Sequence, residues 1–489
     1  MSSLSTGDFE PVIGLEVHAQ LLTRTKLFCG CETSFGDPPN THTCPVCLGL
    51  PGSLPTLNGE AVRLAVLAAL ALECTVQPTS VWARKNYFYP DLPKGYQITQ
   101  YEDPYAKHGY LSFSLDGKER RPRILRIHME EDAGKTMHHG GGPSIVDLNR
   151  AGTPLIEIVG EPDLRSAAEA SAYLKKLREV LMAIGANDGN LEQGSFRCDA
   201  NVSVRPVGEE KLGVRTELKN INSFRFVEEA LDIEIRRQIR EIESGRRLVQ
   251  ATRGYNAEKR ETYLLREKEN DAGYRYFPDP DLPTLVTDDV FVDAVRGSMP
   301  ELPEAKRARY AALGLTPIAA QVLTGHPRIA GFFDECVVWA ERSPARGAVE
   351  HVKIANFIQA EVLRDATFAG LGAVFPVSPK QLVDLLELVA AGTISGKQAK
   401  TVFTLLAGTD KLAAEVVSAA GMGVMNDEAA LVAMAEKLIA DNPKQVAQFH
   451  AGKVTMLGFF VGQIMKATKG SADPALTDAI LRRLLGASS

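Results

Sequence analysis

The sequence predicts an α+β protein: a twisted antiparallel sheet forming a cradle domain, then an all-α helical domain and a small helical tail domain. Three observations carry this. Segments in the first 220 residues alternate apolar and polar side chains with the two-residue period of a strand. Two long segments, one between these strands and one after them, have helical spacing. Beyond Ser298 to Pro303 the chain becomes Ala- and Leu-rich, with helical periods broken by Gly and Pro. The expected boundaries are 1–294 for the cradle, 295–406 for the helical domain and 407–489 for the tail.

The first strand is Pro11 to Leu22. Ile13, Leu15, Val17, Ala19 and Leu21 share one face, and Glu16, His18 and Gln20 share the other. Ile124 to Glu130 repeats the design, with Arg126, His128 and Glu130 opposite Leu125, Ile127 and Met129. Thr153 to Val159 differs, because Glu157 interrupts the apolar run Leu155, Ile156, Ile158, Val159. A carboxylate buried there without a partner costs several kcal/mol, so it must be paired or metal-bound. Ser195 to Arg205 alternates most strictly, with Arg197, Asp199, Asn201, Ser203 and Arg205 facing away from Phe196, Cys198, Ala200, Val202 and Val204. Val214 to Lys219 groups Arg215, Glu217 and Lys219.

Antiparallel sheets often leave one polar face to water. Solvent faces are usually mixtures of Lys, Glu and Thr, whereas these carry Glu, His, Asp, Asn and Arg, which bind metals and phosphates. The polar face is therefore read as the floor of an active site. Glu16, His18, Glu130 and Glu157 are its candidate ligands for Mg²⁺, a hard cation used chiefly with phosphate chemistry.

Helices are expected over Ser166 to Ile184, ending at Gly185, and from about Ser223 to Ser244, where Val227, Leu231, Ile235, Ile239 and Ile242 have helical spacing. In the second half they are expected at Ala305–Leu313, Pro317–Leu323, Ala348–Ala366, Pro379–Ala391 and Gly396–Ala407. In the tail they fall near Lys411–Ser418, Asp427–Asp441, Pro443–Ala451, Leu457–Thr468 and Pro474–Leu485. From Asp441 onward six Lys and Arg stand against three Asp. Such a mildly basic helical surface is either a solvated face or an RNA contact.

Four of the seven cysteines are spaced C-x-C-x12-C-x2-C: Cys29, Cys31, Cys44 and Cys47. Two close pairs a dozen residues apart match a tetrahedral zinc site, with His42 as an alternative ligand. Four thiolates leave no open coordination position, so the zinc is expected to be structural. Cys74, Cys198 and Cys336 are isolated and read as core filler.

Composition bounds the rest. The 489 residues carry a formal charge of −6, with 24% charged and 45% hydrophobic residues, as in ordinary globular enzymes. No overall basicity announces nucleic acid, so any RNA contact must be local or supported by partners. Met1 to Glu10 lacks the pattern of a signal peptide, and the longest apolar run, Leu64 to Leu72, is too short to span a bilayer. A cytoplasmic protein without membrane contact is expected. The sequence contains no Walker loop and no Gly-x-Ser-x-Gly elbow, and Gly140 to Ser144 lacks the lysine a phosphate loop needs, so it reads as a hairpin loop.

Several longer motifs resemble one family in order along nearly the whole chain. They are Gly14-Leu15-Glu16-Val17-His18-Ala19-Gln20, Lys85 to Gln97 (KNYFYPDLPKGYQ), His128 to Lys135 (HMEEDAGK), Asp147-Leu148-Asn149-Arg150, Gly152 to Ile158 (GTPLIEI), Arg197-Cys198-Asp199-Ala200-Asn201, and Tyr274-Arg275-Tyr276-Phe277-Pro278. They resemble the B subunit of glutamine-dependent aspartyl/glutamyl-tRNA amidotransferase, GatB. Gly458 to Lys466 (GFFVGQIMK) resembles that family's tail, which is shared with YqeY-like proteins.

The resemblance implies a cradle related in fold to the glutamine synthetase catalytic domain. It implies a carbon–nitrogen ligase that uses ATP to phosphorylate the side-chain carboxylate of misacylated Glu-tRNA(Gln) or Asp-tRNA(Asn), with ammonia then displacing phosphate. The partners it implies in a heterotrimer are an amidase (glutaminase), the A subunit, together with a small C subunit. Glu16, His18, Glu130 and Glu157 look like the family's Mg²⁺ ligands. Glu131, with Lys85 and Lys94, is expected near the arrival route of ammonia, where a carboxylate takes up a proton; the alternative is a structural Lys85–Glu131 ion pair. Asp199 and Arg205 are further candidates for the nucleotide or a second metal. Two competing readings are a non-catalytic tRNA-binding scaffold and a free-standing small-molecule amide ligase. The Glu/His strand face opposes the first, and the second requires ATP turnover with free glutamate.

Overall fold

The computed structural model describes residues 8–137, 142–267, 271–345, 349–422, 428–468 and 472–486. The chain divides into two compact units, 1–303 and 304–489.

The first unit is organised by a nine-stranded sheet. In chain order its strands are β1 (Phe9–Gln20), β2 (Thr75–Val76), β5 (Ala106–Tyr110), β6 (Arg123–Glu131), β7 (Pro154–Gly160), β8 (Phe196–Pro206), β9 (Thr216–Ile221), β10 (Ala251–Asn256) and β11 (Glu261–Glu267). A separate small sheet contributes β3 (Trp82–Asn86) and β4 (Tyr96–Gln100). The large sheet runs β11-β10-β9-β8-β1-β7-β6-β5-β2. All neighbours are antiparallel except β9 and β10. That parallel pair makes the sheet mixed, and its cause is local: the chain returns to the sheet through a long helix, as a parallel neighbour requires.

The helices of this unit are α1 (Gly59–Ala71), α2 (Ala167–Ala183), α3 (Phe224–Glu243) and α4 (Asp289–Gly297). Ser166 and Ser223 cap α2 and α3 by accepting from the backbone N–H of Glu169 and Phe226. The apolar strand face (Ile13, Leu15, Val17 and Ala19 on β1, Ile156 and Ile158 on β7) is completely buried in one core with these helices. The opposite face is thereby left for polar chemistry. Sequence periodicity located α2 and α3 but not α1. Ala61, Val62, Leu64, Ala65, Val66, Leu67, Ala68 and Ala69 are all buried, so α1 is apolar nearly all round and lacks a two-sided pattern.

The second unit contains two hydrophobic cores. One gathers Tyr310, Phe333, Ile354, Leu382, Phe403 and Val416, from helices between Pro303–Ala312 and Ala413–Ala419. The other gathers Leu431, Phe460, Ile464 and Leu481, from the four helices Glu428–Asp441, Pro443–His450, Met456–Ala467 and Pro474–Leu484. The expected boundaries therefore shift. Val295 of α4 packs on the first unit's core, so residues past 294 still belong to the cradle. Val416 and Val417 pack with the middle core, so the tail's own packing starts beyond 407.

Pro327–Arg342 forms a helix of 16 residues that the sequence reading did not anticipate. It buries Phe332, Phe333 and Cys336 yet exposes Val338 and Trp339, which blurs the apolar stripe. The expected helix Ala348–Ala366 is interrupted. His351–Phe357 passes into a wide π turn, Ile358–Val362, before a last short turn at Leu363–Asp365. The loop expected at Gly140 to Ser144 lies partly outside the described residues, between the paired strands Lys135–Met137 and Ile145–Asp147.

Candidate active site

The strand register assembles the site. His18 lies opposite Arg197 on β8 and opposite Glu157 on β7, and Glu157 lies opposite His128 on β6. The row Arg197–His18–Glu157–His128 thus crosses four strands on one face. A neighbouring pairing sets Glu16 against Asp199. In Thr153 to Val159 the two-residue alternation also resolves the apolar run. Leu155, Glu157 and Val159 face the cavity side, while Ile156 and Ile158 enter the core.

These groups converge. His18 Nε2 lies 3.3 Å from Glu157 Oε2 and 3.8 Å from Glu130 Oε1. His128 Nε2 lies 3.1 Å from Glu157 Oε2 and 3.7 Å from Glu130 Oε2. Thr99 Oγ1 donates to Glu130 Oε2 at 3.0 Å. Glu16, His18 and Glu157 offer ligand atoms within 4.8 Å of one another, and so do His128, Glu130 and Glu157. Alternation puts His128 on this face, although only Glu16, His18, Glu130 and Glu157 are expected as ligands. Its position two residues before Glu130 was the signal.

The cluster floors a cavity of about 490 Å³ whose walls carry Lys85, Arg126, Arg215, Lys219 and Arg266. Three buried polar atoms here have no hydrogen-bond partner: Arg126 Nε, His128 Nδ1 and Asn201 Oδ1. Burying such atoms unpaired is unfavourable, so each has a place for a bound water or ligand as its partner.

Protonation shows how strongly the carboxylates demand positive charge. Burial alone would depress His128, yet Glu157 and Glu130 push it up to about 9. His18 is likewise raised against burial, chiefly by its hydrogen bond with Glu157. Burial acts to raise Glu157 and Glu130, but the imidazoles outweigh it and hold both below the usual carboxylate range. Glu16 is raised, by burial and then by Glu157. Burial disfavours the charge of Lys85, but Glu130, Tyr276 and Glu157 keep it above the usual lysine range. An oxygen- and nitrogen-rich set of this kind fits a hard divalent cation.

Two expectations need correction. Lys85 does not accompany Glu131. It enters the cavity from β3, with its ammonium 4.9 Å above the Tyr274 ring, on the side of Glu130 and Glu157. Glu130 and Glu131 are adjacent strand residues and point to opposite faces. On the far side Glu131 pairs with Lys94 and accepts from the Ile98 backbone N–H at 2.9 Å. The ion-pair partner of Glu131 is therefore Lys94, and the two line a second cavity of about 190 Å³ beside Cys29, Cys47 and Gly152. Arg205 also fails to reach the cluster. It donates to Glu10 Oε1 at 2.7 Å and to the Glu210 carbonyl at 3.0 Å. The Glu10–Arg205 pairing is six residues along the strand from Glu16–Asp199, about 20 Å away. Asp199 does adjoin the site and accepts from Lys219 at 2.5 Å. Asp132 lies in the HMEEDAGK motif, but the sequence assigns it no role. It is buried, takes both its oxygens to Arg197 at 3.0 Å, and accepts from Gln20 at 2.7 Å, so it fixes the end of the strand row.

The four cysteines Cys29, Cys31, Cys44 and Cys47 also meet, with all sulfurs within 4.8 Å of one another. Cys44 and Cys47 sulfurs are 3.9 Å apart, and the Cys44 N–H donates to Cys47 Sγ at 3.2 Å. Four sulfurs about 2.3 Å from one zinc ion would stand about 3.8 Å apart, so the set fits a tetrahedral tetrathiolate site. His42 is not among the converging ligand atoms, and its Nε2 is engaged by Asp37 at 2.9 Å.

Comparison with known proteins shows the family of the chain. The GatB/GatE catalytic domain family matches residues 11–293, and the GatB domain family matches 345–485. This chain belongs to the GatB family. Among its relatives are proteins named as the B subunit of aspartyl/glutamyl-tRNA(Asn/Gln) amidotransferase. The one from Geobacter sulfurreducens is 51% identical over 98% of this chain and 99% of its own length. The one from Anaeromyxobacter sp. strain K is 50% identical over the same shares. That from Myxococcus xanthus is 48% identical over 99% and 100%. As a GatB-family chain, the protein is an enzyme subunit of the transamidase class. No described helix is long and apolar enough to cross a membrane.

Proposed function

We propose that the protein phosphorylates the side-chain carboxylate of misacylated Glu-tRNA(Gln) or Asp-tRNA(Asn) with ATP and then amidates it with ammonia. The product is Gln-tRNA(Gln) or Asn-tRNA(Asn). A partner amidase, the A subunit, would supply the ammonia, and a small C subunit would complete the heterotrimer in the cytoplasm. The observation that carries this reading is the acid–imidazole row, converging across four strands under a wall of cations.

The chemistry follows from the groups present. A carboxylate is a poor electrophile, so one of its oxygens attacks the γ-phosphorus of ATP and ADP departs. Ammonia then attacks the acyl carbon, phosphate leaves, and one N–H proton goes to a base. Glu16, His18, Glu130 and Glu157 would hold Mg²⁺, which when bound supplies charge neutralisation for phosphoryl transfer. Lys85 and Arg126 stabilise the equatorial phosphate oxygens, and Lys219 holds Asp199 beside Glu16. Glu131, paired with Lys94, lines the second cavity on the other strand face, where it would take up the proton that ammonium loses before ammonia reaches the acyl carbon. Cys29, Cys31, Cys44 and Cys47 would bind a structural zinc.

Amidation of Glu-tRNA(Gln) by the reconstituted complex, with ammonium and ATP, tests the assignment. Glu157→Ala and Glu16→Ala should each lower the rate on the order of a hundredfold or more, with tRNA binding retained. Unchanged rates would remove the kinase role from this cavity.

A further inference from the structure

Lys26 is wholly buried, a rare situation for an ammonium group. Its Nζ donates to the His42 carbonyl at 2.6 Å and to the Leu148 carbonyl at 3.3 Å, and lies 3.7 Å from Cys47 Sγ. Those contacts account for all three donors of the ammonium. Among the described residues no carboxylate stands within 4.0 Å of it to serve as counter-ion. Glu131 lines the same cavity but is paired with Lys94, so the sulfur beside Nζ is the group left to balance the buried charge. A divalent ion held by four thiolates carries a net charge of about −2.

The position is also built rather than incidental. Lys26 N–H donates to the Cys31 carbonyl at 2.9 Å, which links it to the first cysteine pair. Its ammonium joins the second pair through Cys47 and His42, and a third segment through Leu148. Gly152, at φ +90°, leaves room for its stem. A Cβ there would stand 3.3 Å from Lys26 Cδ and 3.5 Å from Cys47 Cβ.

We propose that Lys26 is the charge-balancing partner of the tetracysteine zinc site and governs how tightly that site keeps its metal. This rests on the zinc reading above. Lys26 supplies no ligand to the metal; it stabilises the excess negative charge on Cys47 and clasps the two cysteine pairs together.

The test uses the purified full-length chain and reads zinc, not activity. Elemental analysis of the wild type should find one zinc per chain. Lys26→Met, which keeps the shape and removes the charge, should release zinc to a chromophoric chelator on the order of ten- to a hundredfold faster. Lys26→Gln should do the same, and Lys26→Arg should stay near the wild-type rate. In cobalt-substituted protein the thiolate-to-metal charge-transfer band should move in Lys26→Gln and not in Lys26→Arg. If Lys26→Met does not accumulate as folded protein, the Gln and Arg pair decides alone. Wild-type release rates in Lys26→Gln, from protein that holds zinc, overturn the role of Lys26 only. Wild-type protein without zinc overturns the metal reading itself.

Discussion

Single side chains here are set by the neighbours that share their strand face or helix turn. Glu234, on α3, is completely buried and receives both guanidinium arms of Arg237 at 2.7 and 2.9 Å. Gln238 and Thr262 also donate to it, at 3.1 and 3.0 Å. Burial alone would raise its pKa, but Arg237 above all, then Gln238 and Thr262, pull it below the ordinary 4.5. A carboxylate depressed in the folded state contributes its stabilisation fully above the unfolded value. The contribution fades as pH falls through the folded value. Glu234→Gln should therefore cost roughly 3 kcal/mol at pH 7, and the difference should shrink steadily below about pH 4.5. Urea midpoints of the two proteins at pH 7 and pH 3.5 check this, and an equal gap at both would remove the ion pair as its cause.

Elements are decided by which backbones must approach each other. In β5, Gly109 lies against the turn that leaves α1. A Cβ there would collide with the Cys74 sulfur and stand 2.6 Å from the Leu72 carbonyl, which already accepts from Tyr110 N–H at 2.9 Å. Gly109→Ala should destabilise the first unit by about 1–3 kcal/mol. Gly59→Ala, where nothing lies within 4 Å, should leave the melting temperature unchanged or slightly higher. Equal effects in differential scanning fluorimetry would contradict the crowding seen at Gly109. The alternating strands were legible because one face of each is wholly buried, which makes a one-residue slip prohibitive. The parallel pairing of β9 with β10 was not, because both strands carry patterns that suit either direction.

At the largest scale, the described residues form three cores along the chain: the cradle, the middle helices, and the tail helices from Leu431 to Leu485. Separate cores favour separate unfolding steps rather than one two-state transition. Cys44→Ser combined with Cys47→Ser should lose zinc and lower the transition of the first unit, leaving those of the helical unit in place. Calorimetry with and without a chelator measures this. A common shift of all transitions would show that metal and helices unfold together.

Sequence alone determined the partners on each strand face, because side-chain alternation is a property of the backbone and needs no distant contact. It therefore placed Glu16, His18, Glu130 and Glu157 on polar strand faces, and it separated Glu130 from Glu131. Only the tertiary structure decided which faces meet. Register put Glu157 between His18 and His128, and left Arg205 with Glu10 at the strand's far end. The entry of β3 from a second sheet carried Lys85 to Glu130 instead of Glu131. Such placements depend on strand offsets and loop paths between residues far apart in the chain, and local periodicity holds no record of those.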